Sequence, residues 1–217
     1  MMKHAFQSLA ATVMLASGAA ASASSAIGLI TPGEIYSGSQ YTLGFEFSAL
    51  NHQVVTSLGA YDEDSDGLAG RAFVGLWDTD GNLLTSVTIG AGTSGTLDGT
   101  FRYATIAPFA LTVGKHYIVG AFEPGDNATS WATGQGGTAA LNANLNYYGD
   151  RYSNFDSAFS FPSETSGTNG AWLGGNFIIE GGAVPEPASW ALMLTGFSAL
   201  GVAMRRRRWP VSLAARP

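Results

Sequence analysis

Residues 72–89 read AFVGLWDTDGNLLTSVTI. Ala72 to Trp77 is a mostly apolar run of strand length, and Leu83, Val87 and Ile89 share one face of a second run at period-two spacing. Asp78-Thr79-Asp80-Gly81-Asn82 lies between them and supplies turn residues, so the stretch reads as a β-hairpin. Working outward, Tyr41, Leu43, Phe45 and Phe47 alternate with Thr42, Gly44, Glu46 and Ser48, the pattern of a half-buried strand. Phe101 to Phe109, His116 to Phe122 and Asn176 to Glu180 are further strands. Gly125 to Gly149 is the least regular part, read as long loops around a short strand near Leu145. Gly and Asn fill the gaps, as turns with positive φ require. Many short strands at this spacing predict an all-β fold, a jelly-roll-like antiparallel β-sandwich. Trp77 and Trp172 read as core residues.

The chain has 217 residues, 29 of them Gly, and only 12% are charged. Cysteine is absent, which excludes a disulfide scaffold, thiolate metal sites and a cysteine nucleophile. The formal net charge is −6, but the two ends distort that figure. Residues 24–182 hold four basic and fifteen acidic side chains, a net charge of −11. Such a domain repels phosphate backbones, so nucleic acid is excluded as a partner.

Both ends read as addresses. At the N-terminus, Lys3 precedes an uncharged, mostly apolar run from about Ala5 to Ala20, and Ala21-Ser22-Ala23 fits an A-x-A cleavage site. This is the build of a signal peptide, here 1–23, with Ala26 as an alternative cut. At the C-terminus, Pro185-Glu186-Pro187 precedes a charge-free stretch from Ala188 to Met204, followed by Arg205, Arg206, Arg207 and Arg208. Seventeen residues rise about 25 Å as a helix, the short limit for a bilayer core. The arginines place its end in the cytoplasm and the main domain on the far side. The sequence therefore predicts a signal helix, a sandwich at 24–182, a sorting segment with a transmembrane helix at 183–208, and a short tail at 209–217.

The Pro-Glu-Pro segment, the apolar stretch ASWALMLTGFSALGVAM and the arginine cluster resemble the PEP-CTERM sorting signal of Gram-negative bacteria. The resemblance implies recognition and removal of the tail by an exosortase, a membrane transpeptidase-like protease. It also implies an inner-membrane-anchored precursor, then the cell surface or an exopolysaccharide matrix. Trp209 to Pro217 runs past the point where such signals usually stop. Asp66-Gly67, Leu76-Trp77, Gly81-Asn82-Leu83-Leu84 and the Leu111 to Tyr117 strand are similar to a class of domains of unknown function on secreted bacterial proteins. That likeness implies a β-sandwich and brings no activity.

Three groups are candidates for chemistry. Asp62-Glu63-Asp64-Ser65-Asp66-Gly67 carries carboxylates at alternate positions before a glycine, the first half of a calcium loop. Phe73 stands where an EF-hand needs Glu, so a full EF-hand is excluded. A partial calcium turn on Asp62, Asp64 and Asp66, completed from elsewhere, and a solvated acidic loop stay open. Gly90-Ala91-Gly92-Thr93-Ser94-Gly95 matches G-x-G-x-x-G, but turn and strand follow in place of the helix that a dinucleotide site needs. Trp131, Tyr147, Tyr148 and Tyr152 lie in a polar, Gly-rich part, where exposed rings stack on sugar faces; core packing is the alternative.

Catalysis finds no motif. Outside the signal peptide only His52 and His116 remain, and neither H-E-x-x-H nor G-x-S-x-G is present. The sequence therefore predicts a non-enzymatic, exported structural or adhesive protein with carbohydrate binding as its expected contact. A calcium-stabilised module without a dedicated ligand and a surface glycan hydrolase are the alternatives. The hydrolase would need two facing carboxylates, one with a raised pKa.

Overall fold

The computed structural model describes residues 23–31, 35–37, 41–124, 129–131, 138–155, 157–165, 174–181 and 195–198. The strands among them are, in chain order, β1 (Ser24–Ser25), β2 (Ile27–Thr31), β3 (Ile35–Ser37), β4 (Leu43–Ala49), β5 (Gln53–Tyr61), β6 (Ala72–Asp78), β7 (Leu83–Ile89), β8 (Thr96–Asp98), β9 (Phe101–Leu111), β10 (His116–Phe122), β11 (Thr129–Trp131), β12 (Thr138–Leu141), β13 (Leu145–Tyr152) and β14 (Gly175–Gly181). One five-stranded sheet runs β1-β14-β5-β9-β8 and a second runs β13-β4-β10-β6-β7. Two-stranded ribbons pair β2 with β12 and β3 with β11. All strand pairs are antiparallel.

The fold is thus the all-β sandwich expected. Its connectivity follows the jelly-roll pattern: β4, β5 and β6 alternate between sheets, as do β9 and β10, and β1-β14-β5-β9 faces β4-β10-β6-β7. Contacts divide the chain into one unit of residues 21–184 and another of 1–20 with 185–217. Of the second unit only the helical turn 195–198 is described. Among the described residues no helix is long and apolar enough to cross a membrane. Residues 1–22 of the expected signal peptide lie outside the described residues, and of the expected transmembrane stretch 188–204 only 195–198 fall among them, as helix.

The hairpin at 72–89 forms as read. Asp78 Oδ1 accepts the backbone N–H groups of Asp80 at 3.1 Å and Asn82 at 2.9 Å, an Asx turn. Gly81 supplies a φ of 87° that the turn requires. Hydrogen bonds from the Asn82 side chain and backbone hold the Asp78 carboxyl below its ordinary range. Ala72, Val74 and Leu76 point into the core with Phe45, Phe47, Val119 and Phe177. The Phe47 and Phe177 rings join the two sheets, with centroids 4.5 Å apart.

β4 departs from the expected half-buried strand: every one of its residues is buried. On its outer face Glu46 is covered by His116 and Arg151, and Ser48 by Tyr148. Gly75 pairs with Gly120, and Gly120 with Gly44, so three glycines line up across the second sheet. This shallow row lets the chain at 158–162 lie across the outer face. Phe159 packs on Trp77 and Phe73, with centroids 5.2 and 5.9 Å away. Thr42 accepts the Ser160 N–H at 3.1 Å. Trp77 is therefore buried as expected, but under this segment and not between the sheets. Trp172 lies outside the described residues.

Candidate functional site

The loop after β5 begins with Asp62, which is buried and faces Arg102 of β9. The Arg102 Nε donates to Asp62 Oδ2 at 2.6 Å, with side chains only 5% and 2% exposed. Asp62 Oδ1 accepts the Gly67 N–H at 3.3 Å, and Arg102 Nη2 donates to the Ser65 carbonyl at 3.1 Å. Ser65 adopts a φ of 59° and Gly67 one of 134°. Gly67 also approaches the Gly92 backbone so closely that a Cβ would lie 2.7 Å from it. Leu68 and Gly92 exchange backbone hydrogen bonds at 2.7 and 3.1 Å. The Gly90–Gly95 loop therefore buttresses the acidic loop and leads into strand β8.

The structure does not gather Asp62, Asp64 and Asp66 inward as the alternation implied. Asp62 is committed to Arg102, while Asp64 and Asp66 are exposed. No group of three or more His, Asp or Glu side chains that could hold a metal ion is present among the described residues. An open cleft of about 190 Å³ does adjoin the loop, lined by Tyr61, Asp62, Glu63, Asp64, Asp66 and Glu123 among others. Burial and the nearby charges of Glu63, Asp64 and Asp62 push the Tyr61 hydroxyl up to about 12. Glu123 follows β10 in sequence and was missed; its Phe122-Glu123-Pro124 context carries no motif.

A second polar cluster lies on the outer face of the second sheet. Glu46 of β4 faces His116 of β10, with Oε1 and Nδ1 2.5 Å apart. Its Oε2 accepts Arg151 Nε of β13 at 3.0 Å, and Arg151 Nη2 as well. Burial works to raise the Glu46 carboxyl, but the hydrogen bonds and charges of His116 and Arg151 outweigh it and leave the group lowered. The His116 ring stacks on Tyr148, with centroids 4.1 Å apart. The Tyr148 hydroxyl also shares a 3.0 Å hydrogen bond with the Ser48 hydroxyl. Tyr148 remains 47% exposed.

The four aromatic candidates do not share a face. A bulge after Tyr147 shifts the register of β13 against β4. Tyr147 opposes Phe47 and packs on Phe45, with centroids 5.8 Å apart. Tyr152 opposes Leu43 and meets Tyr41 edge-on at 6.1 Å. Both are half-buried, so of the three tyrosines Tyr148 alone presents an exposed ring. Trp131 ends β11 opposite Ile35, and its side chain lies outside the described residues. Pro185, Glu186, Pro187 and Arg205 to Arg208 also lie outside them.

These features define a class: an antiparallel β-sandwich whose polar clusters are internal ion pairs, on a chain whose ends read as export signals. The chain belongs to the family described as a domain of unknown function, DUF4082, whose model matches residues 31–173. The PEP-CTERM protein-sorting motif matches residues 183–208, the segment read from Pro185-Glu186-Pro187 and the arginines. This motif marks an exported protein processed at the membrane by an exosortase. No curated protein matches the chain.

Proposed function

We propose that the chain is an inner-membrane-anchored precursor, delivered after processing to the surface or exopolysaccharide matrix of a Gram-negative bacterium. There the sandwich serves a structural and adhesive role and contacts neutral polysaccharide through Tyr148. The observation that carries this contact is the held ring. One face of Tyr148 rests on His116 and its hydroxyl is tied to Ser48, so it is ordered before any ligand arrives. Glu46 supports a binding role over a catalytic one. Both its oxygens are engaged and its carboxyl is lowered, whereas a glycosidase acid needs a raised value.

Affinity electrophoresis through gels containing dextran, galactomannan or hydroxyethylcellulose tests the reading. We expect saturable retardation in one of these gels, lost in Tyr148→Ala and kept in Tyr152→Ala, whose half-buried ring packs on Tyr41. Retardation unchanged by Tyr148→Ala removes that ring as the contact. Wild-type mobility unaltered by every polymer removes neutral polysaccharide as the partner.

A further inference from the structure

The sandwich has two unlike ends. β5 runs from Gln53 at one to Tyr61 at the other, eight steps or about 27 Å. The Tyr61 end carries Asp62, Glu63, Asp64 and Asp66, with Glu123 and the Asp98 turn beside them. The Gln53 end carries the turns after β4 and β9. Leu50 and Val113 stand there 49% and 45% exposed. Val113 is bridged to Ala49, so the two turns lie side by side.

These turns are tied in place. Leu50 N–H donates to the Asn144 carbonyl at 2.9 Å, and Asn51 Nδ2 to Asn144 Oδ1 at 2.9 Å. Gly114 N–H donates to the Ala49 carbonyl at 2.9 Å, and Thr112 N–H to the Tyr117 hydroxyl at 3.0 Å. The aliphatic side chains are thus presented on rigid turns. Exposed Lys115 accompanies them, with Asp78 and Asp80 of the β6–β7 turn and Glu180 as the acids near this end.

Both chain ends of the sandwich lie at the same end. Gly181 pairs with Gln53, and Ser24 with Ile179. From Gly181 only seven residues lead to Ala188, a reach of at most about 25 Å. We propose that, while the tail is membrane-embedded, the Leu50–Val113 end seats on the lipid headgroup surface and the acidic cleft points away from it. This rests on the reading of residues 188–204 as a membrane anchor. A two-side-chain contact is weak alone, but the tether makes it intramolecular, so a small apolar tip suffices.

The chain has no native cysteine, so single labels report without background. The full precursor carrying an environment-sensitive dye at Val113→Cys, Asp64→Cys or Phe197→Cys is reconstituted into phosphatidylethanolamine–phosphatidylglycerol vesicles with spin-labelled lipid. We expect strong quenching at Phe197→Cys and Val113→Cys, none at Asp64→Cys, and loss of the Val113→Cys signal when Leu50→Asp is added. Quenching at Phe197→Cys alone, or equally at positions 113 and 64, overturns the seating while leaving the anchor. An unquenched Phe197→Cys overturns the anchor and the seating together.

Discussion

Arg102→Met isolates the ion pair that organises the acidic loop. The pair is 2.6 Å long and both side chains are at least 95% covered, so solvent screening does not discount it as it does a surface pair. The variant leaves the Asp62 carboxylate buried without its cation, which costs about 3–5 kcal/mol. For a domain of this size that lowers the melting temperature by roughly 6–20 °C. The Ser65 carbonyl also loses a donor, which keeps the loss toward the upper part of that range. Urea unfolding at neutral pH reads the free energy, provided the slope matches wild type. The double variant Asp62→Leu, Arg102→Met should recover much of the loss, because a buried pair exchanged for apolar side chains is close to neutral. Full recovery is not expected, since the Gly67 N–H loses its acceptor. A single variant within about 1 kcal/mol of wild type would refute the reasoning, since that is the scale of a solvated surface pair.

Calcium and chelator should give coincident thermal unfolding of the wild type, because Arg102 already supplies the positive charge at Asp62. An upward shift with calcium that Asp64→Ala abolishes would make the loop a metal site. Glu46 has a lowered folded pKa, so it adds stability above the ordinary carboxylate value of about 4.3. That contribution is lost as pH falls through the lowered value. Melting temperature followed from pH 6 to 3 should therefore fall more steeply in wild type than in Glu46→Gln; parallel curves would count against the cluster. In the glycine row, a Gly75→Ala methyl meets the Trp77 and Phe159 side chains at 2.6 and 2.8 Å, overpacking worth about 1–3 kcal/mol. A Gly44→Ala methyl overlaps the Val119 carbonyl, backbone that cannot yield without opening the β4–β10 ladder. Denaturation should rank Gly44→Ala as the worse change, and the reverse order would contradict the close approach.

The hairpin was legible because everything that makes it lies within eighteen residues: two apolar runs and the Asp78–Asn82 turn. The full burial of β4 was not, because Glu46 and Ser48 on its outer face are covered by Arg151 and Tyr148, 105 and 100 positions away. β1 and β2 were missed for a related reason: Ser24 pairs with Ile179 and Ile27 with Leu141. The acidic loop shows the same limit in chemical form. Its alternating carboxylates are visible in sequence, whereas Arg102, which neutralises the first, arrives on another strand forty residues later. On β13 the bulge after Tyr147 changes which side chains face out, and no residue pattern announced it.

Every basic side chain in the segment 24–182 is already engaged. Arg102 holds Asp62 and Arg151 holds Glu46. Arg71 lies over the Phe73 ring at 5.2 Å and Lys115 over Tyr117 at 5.5 Å. The remaining excess of carboxylates makes the domain repel anionic headgroups. Attraction between charges therefore does not keep this sandwich at a membrane. In the proposed seating the tail does so, with the Leu50–Val113 tip acting only while the tether keeps it close. Cleavage at the sorting segment would remove the effective concentration and leave the repulsion, so one processing step both frees the domain and drives it outward. The free domain, residues 24–182, should accordingly float with no vesicle, neutral or anionic, in a flotation assay. Co-flotation with neutral vesicles would show that the tip holds lipid without the tether.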